Sequence, residues 1–246
     1  MQYHAKELGK ARYALYKKEF TKKAEYQFKV EQLLRQAIEN QELTLVYQPK
    51  VDLKTGRIHG VEALSRWYHP ELGQVSPQEF INMAEQIGMI KPLTAWVLKT
   101  ACNQAVAWRN AGLGDLLMAV NISPSHFLDR ELFPLVSMVL RDTDMTPECL
   151  ELEVTEGLVQ TNEKNLAIFA QLKKLGLHLS IDDFGTGYSS FASLRHIKVD
   201  FLKVDKYFVD DILADKQARL LVGSMIDMGH NFKSKIVTEG IETEEQ

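Results

Sequence analysis

The sequence predicts a TIM-like β/α barrel with an N-terminal linker helix, its last β/α unit missing from these 246 residues. Three observations carry that expectation. Short β-rich runs alternate strictly with amphipathic helical stretches, which argues for right-handed parallel β/α units. Polar residues stand at or near the C-terminal ends of the strands, where a barrel gathers its chemistry. The length and the 45% hydrophobic content suit one large domain with a substantial core.

The elements follow in order. Residues 17–40 are rich in Lys, Glu, Ala and Gln, and Phe28, Val30, Leu33, Leu34 and Ile38 fall at roughly helical spacing between Phe20 and Asn40, predicting a charged linker helix. The main domain, residues 41–246, opens with a strand at Leu43–Gln48 and a second at Ile58–Trp67. Further strands are expected at Met118–Ile122, Leu150–Val154, Leu177–Ile181, Phe201–Val204 and Ser234–Thr238. Amphipathic segments such as Lys91–Ala111, Asn162–Leu175 and Lys216–His230 separate them. Phe127, Phe169, Leu166 and Trp96, also at helical spacings, are expected in the core.

That makes seven strands where a closed barrel has eight. Glu242 to Gln246 has the acidic composition of a helix start, so another β/α unit of about 20–35 residues is expected to follow.

Composition excludes several functions. With 29 basic and 33 acidic residues there is no cationic excess to neutralise nucleic-acid phosphates, so polymeric DNA or RNA is not an expected partner. Cys102 and Cys149 lack C-x-x-C spacing, which argues against a disulfide framework or a zinc finger. His59, His69, His126, His178, His196 and His230 are scattered without ligand spacing. There is no signal-like h-region and no apolar run of about 18 residues, so a cytoplasmic chain without membrane contact is expected.

Strands buried on both faces should be nearly continuous apolar runs, yet here they carry charges. Glu62 lies in the second strand, Asn121 ends the third and Glu153 the fourth; Asp182 and Asp183 end the fifth. Lys203 lies near the end of the sixth and Glu239 ends the seventh. Any one of these could be a helix cap or a solvated loop residue. Together, on six strands, they predict one shared site. Five converging carboxylates repel one another, and each pKa should rise unless strong positive charge lies among them. Hard oxygen donors without thiolate or imidazole favour Mg²⁺ or Mn²⁺, and two cations about 3.5–4 Å apart suit phosphoryl chemistry.

The motifs are specific. Glu62-Ala63-Leu64 followed by Ser65-Arg66-Trp67 resembles the E-A-L-x-R-W signature of EAL phosphodiesterases. Tyr47-Gln48-Pro49, Asn121-Ile122-Ser123, Glu153-Val154-Thr155-Glu156, the run from Asp182 to Ser190, Lys203-Val204-Asp205 and Glu239-Gly240-Ile241-Glu242 are similar to that family in order and spacing. The resemblance implies an EAL-type barrel whose first strand is antiparallel to the rest, and hydrolysis of cyclic-di-GMP to linear 5′-pGpG with Mg²⁺ or Mn²⁺. It implies that Glu62, Asn121, Glu153 and Asp182 hold one metal, with Asp182 bridging to a second served by Asp183 and Glu239. It assigns Lys203 to the nucleophilic water, Gln48 and Arg66 to the substrate, and Glu156 to anchoring the Gly-rich loop after Asp183. It further implies a homodimer through the region following Asp183.

Residues 1–16 resemble the end of a GGDEF domain, so the chain is expected to be the EAL half of a tandem GGDEF-EAL protein. The family also carries a glutamine on a last strand that this sequence does not reach. A non-catalytic cyclic-di-GMP receptor that signals through a partner is the alternative function. Receptors of that kind usually lose the EAL glutamate or the Asp-Asp pair, and both are kept here.

Overall fold

The computed structural model describes residues 18–159, 163–186 and 197–246, with the side chains of 18–24, 159, 163 and 164 left aside. Residues 1–16, expected to be a GGDEF remnant, lie outside the described residues, as do His196 and the loop from Gly187 to His196 through which pairing is expected.

Eight strands form one mixed sheet: β1 (Thr44–Val51), β2 (Ile58–His69), β3 (Gly73–Val75), β4 (Leu117–Asn121), β5 (Leu150–Thr155), β6 (His178–Phe184), β7 (Phe201–Val204) and β8 (Lys235–Thr238). The path runs β1-β2-β4-β5-β6-β7-β8, with β3 a short hairpin arm on β2. β1 is antiparallel to β2, and every later step on the path is parallel. The sheet therefore curls into a half-barrel of the TIM-like type, and among the described residues β8 does not pair with β1. The helices are α1 (Lys18–Glu39), α2 (Pro77–Gln86), α3 (Ile90–Trp108), α4 (Pro124–Phe127), α5 (Leu132–Thr143), α6 (Glu163–Lys174), α7 (Lys206–Val209) and α8 (Lys216–Asn231).

Period-two alternation explains how strands buried on both faces tolerate charge. One face of β5 contributes Leu150, Leu152 and Val154 to the core, as Met118 and Val120 do from β4, Leu179 and Ile181 from β6, and Leu202 and Val204 from β7. These meet helical residues such as Leu98, Val136, Phe169 and Leu172. The other face looks into the half-barrel and carries Glu62, Asn121, Glu151, Glu153, Asp182 and Lys203. Several helices start where the sequence supplies a side-chain cap. Ser76 accepts from Glu79 N before Pro77 at the head of α2, and Asp215 accepts from Gln217 N at 2.8 Å at the head of α8.

Strand limits move by up to three residues from the sequence expectation, and Phe201–Val204 matches it. β5 continues past Glu153 to Thr155 and β6 past Asp183 to Phe184, while Glu239 follows the end of β8. The helix expected at Lys91–Ala111 gives way after Trp108 to a wider turn, Arg109–Leu113, because Gly112 takes φ +89°. Glu242 to Gln246 form a turn in which the Gln246 side-chain oxygen accepts from Glu242 N at 2.8 Å and Thr243 N at 3.1 Å, the reach-back of a capping box at the position where a helix start is expected. The expected linker helix is present as α1, and it is more than a tether. Val30, Leu34, Ala37 and Ile38 pack with Trp67, Phe80 and Leu93 in a second core beneath β2 and α2. Among the described residues no helix is long and apolar enough to cross a membrane.

Candidate functional site

The site is built around one ammonium. Lys203 on β7 is 1% exposed, and its Nζ lies 2.8 Å from Glu153, 3.2 Å from Glu62, 3.1 Å from Asp182 and 2.7 Å from Glu239. Those carboxylates come from β5, β2, β6 and the residue after β8. The alternation that turns the aliphatic partners outward turns these five side chains inward, to the C-terminal mouth of the parallel strands.

Burial alone would lower the pKa of Lys203, but the charges of Glu153, Asp182, Glu62 and Glu239 outweigh it and raise the pKa well above the ordinary lysine value. Lys203 therefore stays an ammonium throughout the neutral range. Burial, followed by repulsion from Glu153, pushes Glu62 up to about 7 against the pull of Lys203 and Asn121. Asp183, exposed to solvent, is pushed up to about 6 by partial desolvation and then by Asp182, Asp205 and Glu239. Glu153 goes the other way, as expected where strong positive charge lies among the carboxylates. Its burial is outweighed by the charges of Lys203 and Lys50, which hold it below the usual carboxylate range.

Lys50 and Glu151 are the residues that sequence reasoning missed. Lys50 is buried near the end of β1 and places Nζ 2.6 Å from Glu153 and 3.1 Å from Glu151. Glu151 is fully buried, and burial raises its pKa despite the pull of Lys50. The available signal was the alternation itself: Leu150-Glu151-Leu152-Glu153 puts both glutamates on one face, and Lys50 shares its face with Gln48.

Around this centre the other candidates take their places. Asn121 Nδ2 donates to Glu62 Oε1 at 2.7 Å, tying the β4 amide to the β2 carboxylate. Gln48 is exposed and sits opposite Glu62 in the β1–β2 ladder. Arg66 is on the same face of β2 as Glu62, half-buried, with Nη1 on the carbonyl of Ser65 at 2.9 Å. Asp183 has φ +54°, a left-handed backbone uncommon outside glycine, and its amide donates to Asp182 Oδ1 at 3.0 Å. Glu156 Oε2 accepts from Gly185 N at 3.0 Å, as a loop anchor would. Gly185 itself admits no side chain, for it has φ +98° and an added Cβ would fall 2.4 Å from Met225 Cε.

Six carboxylates (Glu62, Glu151, Glu153, Asp182, Asp183 and Glu239) share two ammoniums, Lys50 and Lys203. The formal excess is four negative charges, the charge that two divalent cations supply. The donors are hard oxygens, suited to Mg²⁺ or Mn²⁺. Among the described residues no three carboxylates are drawn together as a cation cage, because the cluster closes on Lys203 instead. Burial first, and carboxylate repulsion second, raise Glu62 and Asp183 despite the two ammoniums, and with its hard-oxygen donors the set fits a cation pair.

The EAL domain matches residues 31–246. The chain is 38% identical over 245 residues to the bifunctional diguanylate cyclase/cyclic di-GMP phosphodiesterase MucR of Pseudomonas aeruginosa, covering 99% of this chain and 36% of that protein. It is 38% identical over 246 residues to the signaling protein YkoW of Bacillus subtilis, covering 99% and 30%. The chain thus spans about a third of the length of these curated relatives. Its structure superposes on the phosphodiesterase of Pseudomonas aeruginosa MucR in complex with c-di-GMP, with a TM-score of 0.84, 39% identity and 88% of each chain covered. An EAL enzyme solved in a cAMP-bound form gives a TM-score of 0.84 at 33% identity, covering 92% of this chain and 64% of that one.

Proposed function

The chain belongs to the EAL domain family, and on that premise we propose that its half-barrel mouth hydrolyses one phosphodiester bond of cyclic-di-GMP to give linear 5′-pGpG. The observation that supports this most is the Lys203 cluster: four carboxylates, three from strands and one from the residue after β8, converge within 3.2 Å of one buried ammonium. The name of MucR carries the same activity, and its GGDEF-EAL type of bifunctionality is consistent with a tandem context here.

In this reading Glu62, Asn121, Glu153 and Asp182 would hold one cation, and Asp182, Asp183 and Glu239 would serve a second, Mg²⁺ or Mn²⁺. Bound there, the pair would supply Lewis acidity to the scissile phosphate and to the attacking water. The protein's own residues do the rest. Lys203, an ammonium set among four carboxylates, donates, orienting the attacking water and the carboxylates around it. Arg66, a planar multi-donor cation on the inner face of β2, takes a phosphate, and Gln48 at the rim takes the nucleotide. Glu156 holds the backbone of Gly185 and so sets the approach of the Asp182–Asp183 turn. Pairing of two copies through the loop after Asp183 would act on that same turn.

Incubating the purified protein with cyclic-di-GMP and Mg²⁺ or Mn²⁺, and following pGpG by chromatography, tests the proposal. Linear product that disappears in EDTA is expected. Tight binding of cyclic-di-GMP without product under either metal would replace the hydrolase with a receptor.

A further inference from the structure

Lys50 and Glu151 lie beneath the mouth, and no step above uses them. Lys50 comes from β1, which borders only β2 on the sheet path, yet its ammonium crosses the lumen to reach β5. There it donates to Glu153 Oε1 at 2.6 Å and to the two oxygens of Glu151 at 3.2 and 3.1 Å. Its partner across the β1–β2 ladder is Gly60, where an added Cβ would fall 2.6 Å from the Leu117 carbonyl oxygen. No side chain from that position can intrude beside Lys50. The second oxygen of Glu153, Oε2, accepts from Lys203 at 2.8 Å. Lys203, Glu153, Lys50 and Glu151 thus form a buried ladder of alternating charge. A carboxylate with a short charged hydrogen bond on each oxygen has its plane fixed.

We propose that Lys50, itself held by Glu151, is a positioning residue that fixes the plane of the Glu153 carboxylate for cation binding at the mouth. The inference rests on the two-cation reading of the site. It extends that reading downward: the outer support of one ligand comes from the antiparallel strand, on the opposite wall of the half-barrel. Supports of this kind typically change metal affinity 10–100-fold when lost. The competing role is purely structural, with Lys50 present only to neutralise the buried Glu151.

The two roles separate in a pair of variants of the whole chain, titrated with Mn²⁺ under electron paramagnetic resonance, with thermal unfolding measured alongside. Lys50→Met removes the donor from Glu153 and leaves Glu151 unpaired, so both Mn²⁺ affinity and melting temperature should fall, the affinity by about 10–100-fold. Lys50→Met combined with Glu151→Gln leaves no unpaired charge. Its melting temperature should recover while Mn²⁺ affinity stays low, because Glu153 still lacks its second donor. Recovery of both, undiminished affinity in the single variant, or failure of the double variant to fold would each overturn the proposal. A parent protein that binds no Mn²⁺ overturns it as well. A parent that binds Mn²⁺ but leaves cyclic-di-GMP intact removes the hydrolase reading alone, and the affinity ratios still decide the role of Lys50.

Discussion

The two faces of β5 are equally buried and chemically opposite. Leu150 and Leu152 are 0% exposed on the helix side, and Glu151 and Glu153 are 0% exposed on the lumen side. Each leucine contributes about 1.5–3 kcal/mol by leaving water. Each glutamate loses several kcal/mol of hydration, which its lysine partners offset. The comparison teaches that this domain separates stability from chemistry by one residue of register. A slip of a single position would exchange the two sets, so the outer leucines also hold the inner carboxylates in place.

The sharpest way to break the lumen side is Lys203→Met. Four carboxylates lose their common cation, so about 3–5 kcal/mol of stability should be lost in metal-free buffer. Cyclic-di-GMP turnover should fall at least about a hundredfold, since a preorganised donor has gone. Urea unfolding and product chromatography read the two effects. A variant as stable as the parent would mean that the lumen charges are balanced without Lys203.

Leu152→Ala probes the other face and should behave differently. Truncating a fully buried leucine costs about 2–5 kcal/mol through lost burial and the cavity left behind. Well below its lowered melting temperature, the variant should keep the parent's kcat and KM. A changed KM at low temperature would show that the outer face transmits its packing to the site, and that the separation is less clean than the register suggests.

Much of the comparison is legible in the sequence. Strand order follows from the alternation of elements, and the ring of Glu62, Glu153, Asp182, Lys203 and Glu239 follows from polar residues in strands that should be apolar. The face of Lys50 was legible, but what it meets was not. Its partners lie 101 and 103 residues away, and they meet only because an antiparallel first strand brings its end to the lumen beneath the mouth. The packing of α1 was hidden for a related reason. Val30 and Leu34 show a helical stripe, but the stripe does not name Trp67 and Phe80 as what it covers.

The smallest effect expected concerns a third kind of charge, half-buried at the opposite end of the strands from the mouth. Asp200 accepts from Lys173 at 2.9 and 2.7 Å and from Leu179 N at 2.8 Å, and it lies 3.3 Å from His178. Burial would raise its pKa, but the hydrogen bonds from Lys173 and Leu179 and the charges of Lys173 and His178 outweigh this and hold it below the usual aspartate value. A depressed carboxylate adds stability that is fully present above its unfolded pKa, about 3.9, and is lost as pH falls through the lower folded value. With Lys173 and Asp200 side chains 30% and 27% exposed, solvent screening limits the contribution to under about 1 kcal/mol. Asp200→Asn should therefore lower unfolding free energy at pH 6 by no more than that, and the gap to the parent should close as pH is taken below about 4. Urea titrations at the two pH values measure it. A gap that stays constant with pH would mean that the charge of Asp200 contributes nothing and that the loss on substitution is one of packing.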